Sequence, residues 1–251
     1  MSGCIRAILL DIEGTTSSLS YVHDVMFPYV RQHLAEYLDQ RWTAPDLLAT
    51  LELLAADAQR PSVDTWLGAG TREQKQQIVV DQVFAWMDQD LKITGLKQLQ
   101  GQIWQAGFES GRLVAHVWPD VPAALKSWWA KGIDMRIYSS GSIAAQKLFF
   151  GHTDAGNLLA LFSGHYDTTI GGKKVAASYQ SIVADWGRQP NEILFISDVV
   201  EELQAAAAAG LQVLLSIRPG NAPQSSDFPC LHVQDFAAVT PWLDGSCTKA
   251  G

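Results

Sequence analysis

Four short apolar runs, each stopping abruptly on a polar loop, constrain what this 251-residue chain can fold into more than any other feature. Ala7-Ile8-Leu9-Leu10 ends at Asp11-Ile12-Glu13-Gly14-Thr15-Thr16, and Ile133-Asp134-Met135-Arg136-Ile137-Tyr138 breaks at Ser139-Ser140-Gly141-Ser142. Glu192-Ile193-Leu194-Phe195-Ile196-Ser197 closes on Asp198. A helix through the Ala205–Ala209 run follows it, with Gly210 where a helix C-terminal cap belongs. Leu211-Gln212-Val213-Leu214-Leu215-Ser216-Ile217 is stopped in turn by Arg218-Pro219-Gly220. Strand-length runs alternating with helical segments predict βαβ units and a mostly parallel sheet. The expected fold class is α/β, a Rossmann-like parallel sheet core.

Between Thr16 and about Val117 the pattern turns helical. Val79, Val83, Trp86 and Met87 recur at helical spacing, and Thr71 with Gln74 predicts a capping box ahead of them. Leu96, Leu99 and Ile103 continue the theme. We therefore expect a core of residues 1–16 and 118–251, with a helical cap domain of residues 17–117 inserted after the first strand. An insert at that point lies over the C-terminal ends of the strands, the place for a lid. Trp42, Trp66, Trp86 and Trp104 inside it read mainly as packing residues, with one or two available to line an apolar substrate pocket. The tail after Pro241 is expected to be poorly ordered.

Composition narrows the partners. Lys and Arg number 18 against 26 Asp and Glu, a net charge of −8, so the surface repels nucleic-acid phosphates and anionic lipid. No stretch approaches a membrane span, and the apolar run after Arg6 is too short for a signal sequence. Cys4, Cys230 and Cys247 are odd in number and far apart, which implies no disulfide framework and a reducing, cytoplasmic setting. The lack of any association motif points to a monomer.

The loops after the strands carry the chemistry. In an extended segment residues i and i+2 share a side, so Asp11 and Glu13 both face beyond the strand end, where open α/β sheets place their ligands. Two carboxylates there can hold a hard divalent cation, one serving as nucleophile while the other moves protons. A strand running into a polar turn at Gly14 is the plainer alternative. Ser139 and Ser140 offer hydroxyls beside a helix N-terminus, which suits an anion, although the loop alone also reads as a turn with an N-cap. Lys173 and Lys174 follow Gly171-Gly172 and open a helical stretch, either as phosphate binders or as solvated lysines. Asp198 is either a ligand or an N-cap. The order acid pair, hydroxyls, lysine, acid along one parallel sheet is far more specific than any member.

That order resembles the haloacid-dehalogenase-type phosphohydrolase superfamily. Asp11-Ile12-Glu13-Gly14-Thr15-Thr16, Phe27-Pro28-Tyr29, Leu99-Gln100-Gly101, Trp104, His116-Val117-Trp118-Pro119-Asp120-Val121, Tyr138-Ser139-Ser140-Gly141-Ser142, Gln146-Lys147-Leu148 and Arg218-Pro219-Gly220-Asn221 narrow it further. They resemble the enolase-phosphatase (acireductone synthase) family of methionine salvage, from residue 7 to about 222. The resemblance implies that Asp11 and Asp198 bind one Mg²⁺ per subunit, with Glu13 as the third metal position. It implies Asp11 as nucleophile, Glu13 as proton donor and acceptor, and Ser139, Ser140 and Lys173 as substrate-binding residues. Lys173 is preferred to Lys174 because it lies six residues after Asp167, the family's spacing. Asp198 is followed by Val199 instead of a second acid, which leaves Glu201 or Glu202 as supporting acids behind the ligands.

The implied substrate is a small phosphorylated diketone, 2,3-diketo-5-methylthiopentyl-1-phosphate. Enolisation α to a carbonyl comes first, with Glu13 the nearest candidate base. Hydrolysis of the enol phosphate to the acireductone follows. A phosphatase of another small ester is the closest rival. A metal-free dehalogenase has no need of the acid at Glu13, and a phospho-acceptor module is about half this length and lacks the insert.

Overall fold

Parallel strands buried on both faces read as continuous apolar runs, and the centre of this sheet follows that rule. The computed structural model describes residues 4–223 and 228–243. Cys247 and the tail beyond residue 243 lie outside the described residues. β1 (Ala7–Leu10) and β4 (Ile193–Ser197) are buried at every position. With β2 (Asp134–Tyr138), β3 (Gly164–Tyr166), β5 (Gln212–Ser216) and β6 (Leu231–Val233) they form one sheet in the order β3-β2-β1-β4-β5-β6. Every pairing is parallel. Leu10 stands opposite Ile137 of β2 and Ile196 of β4, so the chain leaves three adjacent strands at the same, C-terminal end of the sheet. The strand order reverses at β1, and such a switch point opens a crevice beyond the strand ends.

Two strands escape the sequence reading. Gly164-His165-Tyr166 and Leu231-His232-Val233 are three residues long, carry a histidine at the centre and sit at the two sheet edges. Neither offers the apolar run that marks the central strands. The helix Val200–Ala208 does end where expected, with Gly210 at φ +91° and its N–H donating to Ala207 O at 2.9 Å. Among the described residues no helix is long and apolar enough to cross a membrane.

The chain divides into two compact units, Met1–Val22 with Val114–Gly251, and His23–Leu113. The first keeps more of the chain around the excursion than residues 1–16 and 118–251, because hydrogen bonds tie these flanks together. Tyr21 OH donates to Val114 O at 2.7 Å, Trp118 N–H to Thr16 O at 3.0 Å and Ala115 N–H to His152 O at 2.8 Å. The second unit is helical. Its helix Arg72–Asp88 begins with both reciprocal bonds of the Thr71–Gln74 capping box and buries Val79, Val83 and Trp86, while Met87 is half-buried. Trp42, Trp66 and Trp104 pack half-buried against the same core. On the helix Thr94–Glu109, Gly95 lets two backbones close together, since a Cβ there would lie 2.7 Å from Leu54 N.

Candidate active site

The acid loop starts as the sheet ends. Asp11 N–H extends the ladder by donating to Ile196 O at 3.1 Å, and Asp11 Oδ1 accepts Ile12 N–H at 2.8 Å. The backbone then coils. Ile12 O accepts the N–H groups of Thr15, Thr16 and Ser17 at 3.2, 2.9 and 2.9 Å. The extended geometry from which alternation was argued stops at Leu10, and Glu13 lies half-buried in a turn bridged to Ser17. Gly14 follows with φ +71°, and a Cβ there would sit 2.3 Å from Asp198 Oδ2. Asp198, just past β4, is thus packed against the backbone of the acid loop.

Two residues of the Arg218–Asn221 segment hold that loop. Arg218 Nε donates to Thr15 O at 3.1 Å, and Asn221 Nδ2 donates to Gly14 O at 2.9 Å. Arg218 also forms a two-pronged pair with Asp120, Nη1 to Oδ1 and Nη2 to Oδ2 both at 2.9 Å. Burial alone would push the Asp120 carboxyl up, but the Arg218 hydrogen bonds and charge and the Phe236 N–H hold it below its usual value.

Lys173 completes a buried cluster. Its Nζ lies 2.6 Å from Asp11 Oδ1 and 2.7 Å from Glu202 Oε2, with the side chain 10% exposed. Ser197 Oγ donates to Glu202 Oε2 at 2.9 Å and lies 3.3 Å from Asp11 Oδ2. Lys174, by contrast, is exposed and 3.8 Å from an exposed Glu201. Burial would lower the Lys173 ammonium, yet the Asp11 and Glu202 charges raise it well above the ordinary lysine range. Burial raises the Asp198 carboxyl to about 7, with the Asp11 and Glu202 charges adding to it. Glu202 is raised too, by burial and then by Asp11, against the opposing pull of Lys173 and Ser197. Lys173 pairs with Asp11 and Glu202, and Asp198 adds a third buried carboxylate to the cluster, an excess of acid suited to a hard cation with oxygen ligands.

Ser139 and Ser140 follow β2, the neighbour of β1. Ser139 is buried, donating its N–H to Tyr166 O at 3.2 Å and accepting Gly141 N–H on Oγ at 3.1 Å, whereas Ser140 is exposed. The N-cap of the helix Ile143–Gly151 is Ser142, whose Oγ accepts Ala145 N–H at 3.2 Å. Gln146 Nε2 fastens this loop, donating to Gly141 O and Tyr166 O at 2.8 Å each.

Glu202 is the residue that sequence reasoning left level with Glu201. The signal was weak because the run Ala205–Ala209 gives the helix no distinct apolar face. The fold separates the two, burying Glu202 beside Lys173 and exposing Glu201.

A parallel sheet with an acid-bearing loop after its first strand and a lysine and acid converging on it defines a hydrolase of the haloacid-dehalogenase type. The family model described as haloacid dehalogenase-like hydrolase matches residues 5–210, and the chain belongs to that family. Within it, the chain is 46% identical to the enolase-phosphatase E1 of Citrobacter koseri over 85% of its own length and 89% of that protein. It is 42% identical to the enolase-phosphatase E1 of Drosophila melanogaster, over 88% of this chain and 87% of that one. The solved structure of the UTR4 protein from Saccharomyces cerevisiae superposes with a TM-score of 0.75 at 31% identity, covering 92% of this chain and 98% of the other.

Proposed function

We propose that this chain is an acireductone synthase of methionine salvage, enolising 2,3-diketo-5-methylthiopentyl-1-phosphate and then hydrolysing the enol phosphate. The observation that carries the reading is the Lys173 ammonium between Asp11 and Glu202. In the hydrolytic stage an Asp11 carboxylate oxygen attacks phosphorus, a P–O bond to Asp11 forms and the P–O bond to the enol breaks. Glu13 gives its proton to the leaving oxygen, then takes one from the water that cleaves the aspartyl phosphate. Lys173 offsets the charge of Asp11 as the phosphate approaches, and the Ser139–Ser140 loop receives the phosphate oxygens.

The residues present fit Mg²⁺. Among the described residues no group of three or more His, Cys, Asp or Glu side chains is arranged to hold a metal ion by itself. Mg²⁺ does not need one, because it binds through one or two carboxylates, waters and substrate phosphate. Asp11 and Asp198 would hold it, with Glu13 as the third position. When bound it supplies Lewis-acid polarisation of the phosphoryl and carbonyl oxygens. We also read the chain as cytoplasmic, consistent with the free thiols of Cys4 and Cys230, and as a monomer from the lack of an association motif in the sequence.

The test measures phosphate colorimetrically and enol by ultraviolet absorbance, on the diketo phosphate and on a simple ester, with Mg²⁺ and with excess chelator. The expected result is Mg²⁺-dependent release of both signals from the diketo phosphate. Full activity in chelator would overturn the metal assignment, and phosphate release without any enol signal would reduce the chain to a simple phosphatase.

A further inference from the structure

Lys173 stands on irregular backbone between β3 and the helix Ala176–Trp186, where no ladder fixes its position. Three hydroxyls take the place of a ladder. Tyr138 OH donates to Gly171 O at 2.9 Å, Ser178 Oγ to Gly172 O at 2.8 Å and Tyr179 OH to Lys173 O at 2.7 Å. Three consecutive carbonyls are thus each held by a side chain from a regular element, the last residue of β2 or the first turn of the helix.

The donors are themselves rigid. Tyr138 and Tyr179 are fully buried, and their rings meet edge to face with centroids 5.5 Å apart. The Tyr138 ring also lies 5.9 Å from Lys173 Nζ, walling one side of the ammonium. A buried phenol is costly unless its oxygen is bonded, so phenylalanine would satisfy the core as well, and the hydroxyls serve the loop instead. Gly171 is part of the device. Its φ is +137°, a conformation side chains rarely adopt, and a Cβ there would sit 2.2 Å from Ser178 Oγ.

We propose that Tyr138, Ser178 and Tyr179 are positioning residues that set the Lys173 ammonium against Asp11 by holding the carbonyls of Gly171, Gly172 and Lys173. The proposal rests on the reading of Lys173 as a group that handles substrate. A displacement of about 1 Å at such a group costs on the order of a hundredfold in rate. Removing one hydroxyl therefore acts on catalysis through Lys173.

A double-mutant cycle tests this. Tyr138→Phe, Tyr179→Phe and their combination are made in the full chain and in a Lys173→Met background, and kcat and KM for phosphate release are measured with melting temperatures alongside. The expected result is a loss of roughly tenfold or more in kcat/KM for Tyr179→Phe when Lys173 is present. In the Lys173→Met background the same change costs less than about twofold, because the group it positions is gone. Equal fold losses in both backgrounds overturn the proposal alone and reduce the tyrosines to packing, as does wild-type kcat/KM in the double phenylalanine variant. Undiminished activity of Lys173→Met overturns the reading of Lys173 and the proposal with it. Should Tyr179→Phe fail to fold, Ser178→Ala removes a single oxygen and carries the same cycle.

Discussion

Gly14 packs directly on the Asp198 carboxylate, so closely that a Cβ at Gly14 would lie 2.3 Å from Oδ2 and 2.5 Å from Cγ. The atom in the way is the end of a side chain, so Gly14→Ala displaces the carboxylate before it breaks the fold. The left-handed φ of +71° adds a backbone penalty of about 1–2 kcal/mol. We expect the variant to fold with a lowered melting temperature and to need several times more Mg²⁺ for half-maximal activity. An unchanged Mg²⁺ titration would show that the Asp198 position is not set by Gly14.

Asp11→Asn separates the two chemical stages. The amide keeps an oxygen for a cation but has no carboxylate to attack phosphorus. Phosphate release should fall by several orders of magnitude, as follows the loss of a covalent nucleophile. Enolisation needs a polarised carbonyl and a base, so the phosphorylated enol should accumulate in ultraviolet absorbance. Phosphate release near the wild-type rate would rule out the aspartyl phosphate.

Lys173 and Lys174 differ by one position and by everything around them. Lys173→Met should lower phosphate release by several orders of magnitude and leave a measurable residual rate, while Lys174→Met should leave it near wild type. The exposed Lys174–Glu201 pair is worth about 0–1 kcal/mol and serves as the internal control. Glu202→Gln removes one of the two carboxylates on Lys173 and should lower kcat/KM by about tenfold or more. The matching Glu201→Gln should have no measurable effect, and parity between the two variants would discount the buried pairing.

Arg218, buried, and Asp120, half-buried, form a pair whose loss should be felt in stability. Removing one partner, as in Arg218→Met, leaves the other uncompensated at a cost below the ~3–5 kcal/mol of a fully buried pair, read as a fall in melting temperature. The pH dependence has a definite sign. Asp120 titrates below its ordinary 3.8 in the folded chain, so its contribution is present above 3.8 and is lost as pH falls through the folded value. Asp120→Asn should therefore be less stable near neutrality and show a flatter decline in melting temperature below pH 3.8. An acid limb identical to wild type would contradict the pairing.

What the sequence determined by itself was everything encoded over short spans. Apolar runs set the four central strands, the Thr71–Gln74 spacing set a helix start, and the order of acids, hydroxyls and lysine marked the loops after the strands. Covalent order and local periodicity carry that information directly. Tertiary structure decided the partners. Arg218 meets Asp120 across 98 residues and Thr15 across 203, and no local period records such a contact. It also added β3 and β6, whose three residues gain a strand's hydrogen bonds only from a neighbouring edge. It began the coil at Ile12, where alternation predicted extension through Glu13. Spacing from Asp167 had already favoured Lys173 over Lys174, whereas Glu202 was distinguished from Glu201 by burial alone, because charge is set by residue type but its energy by what surrounds it.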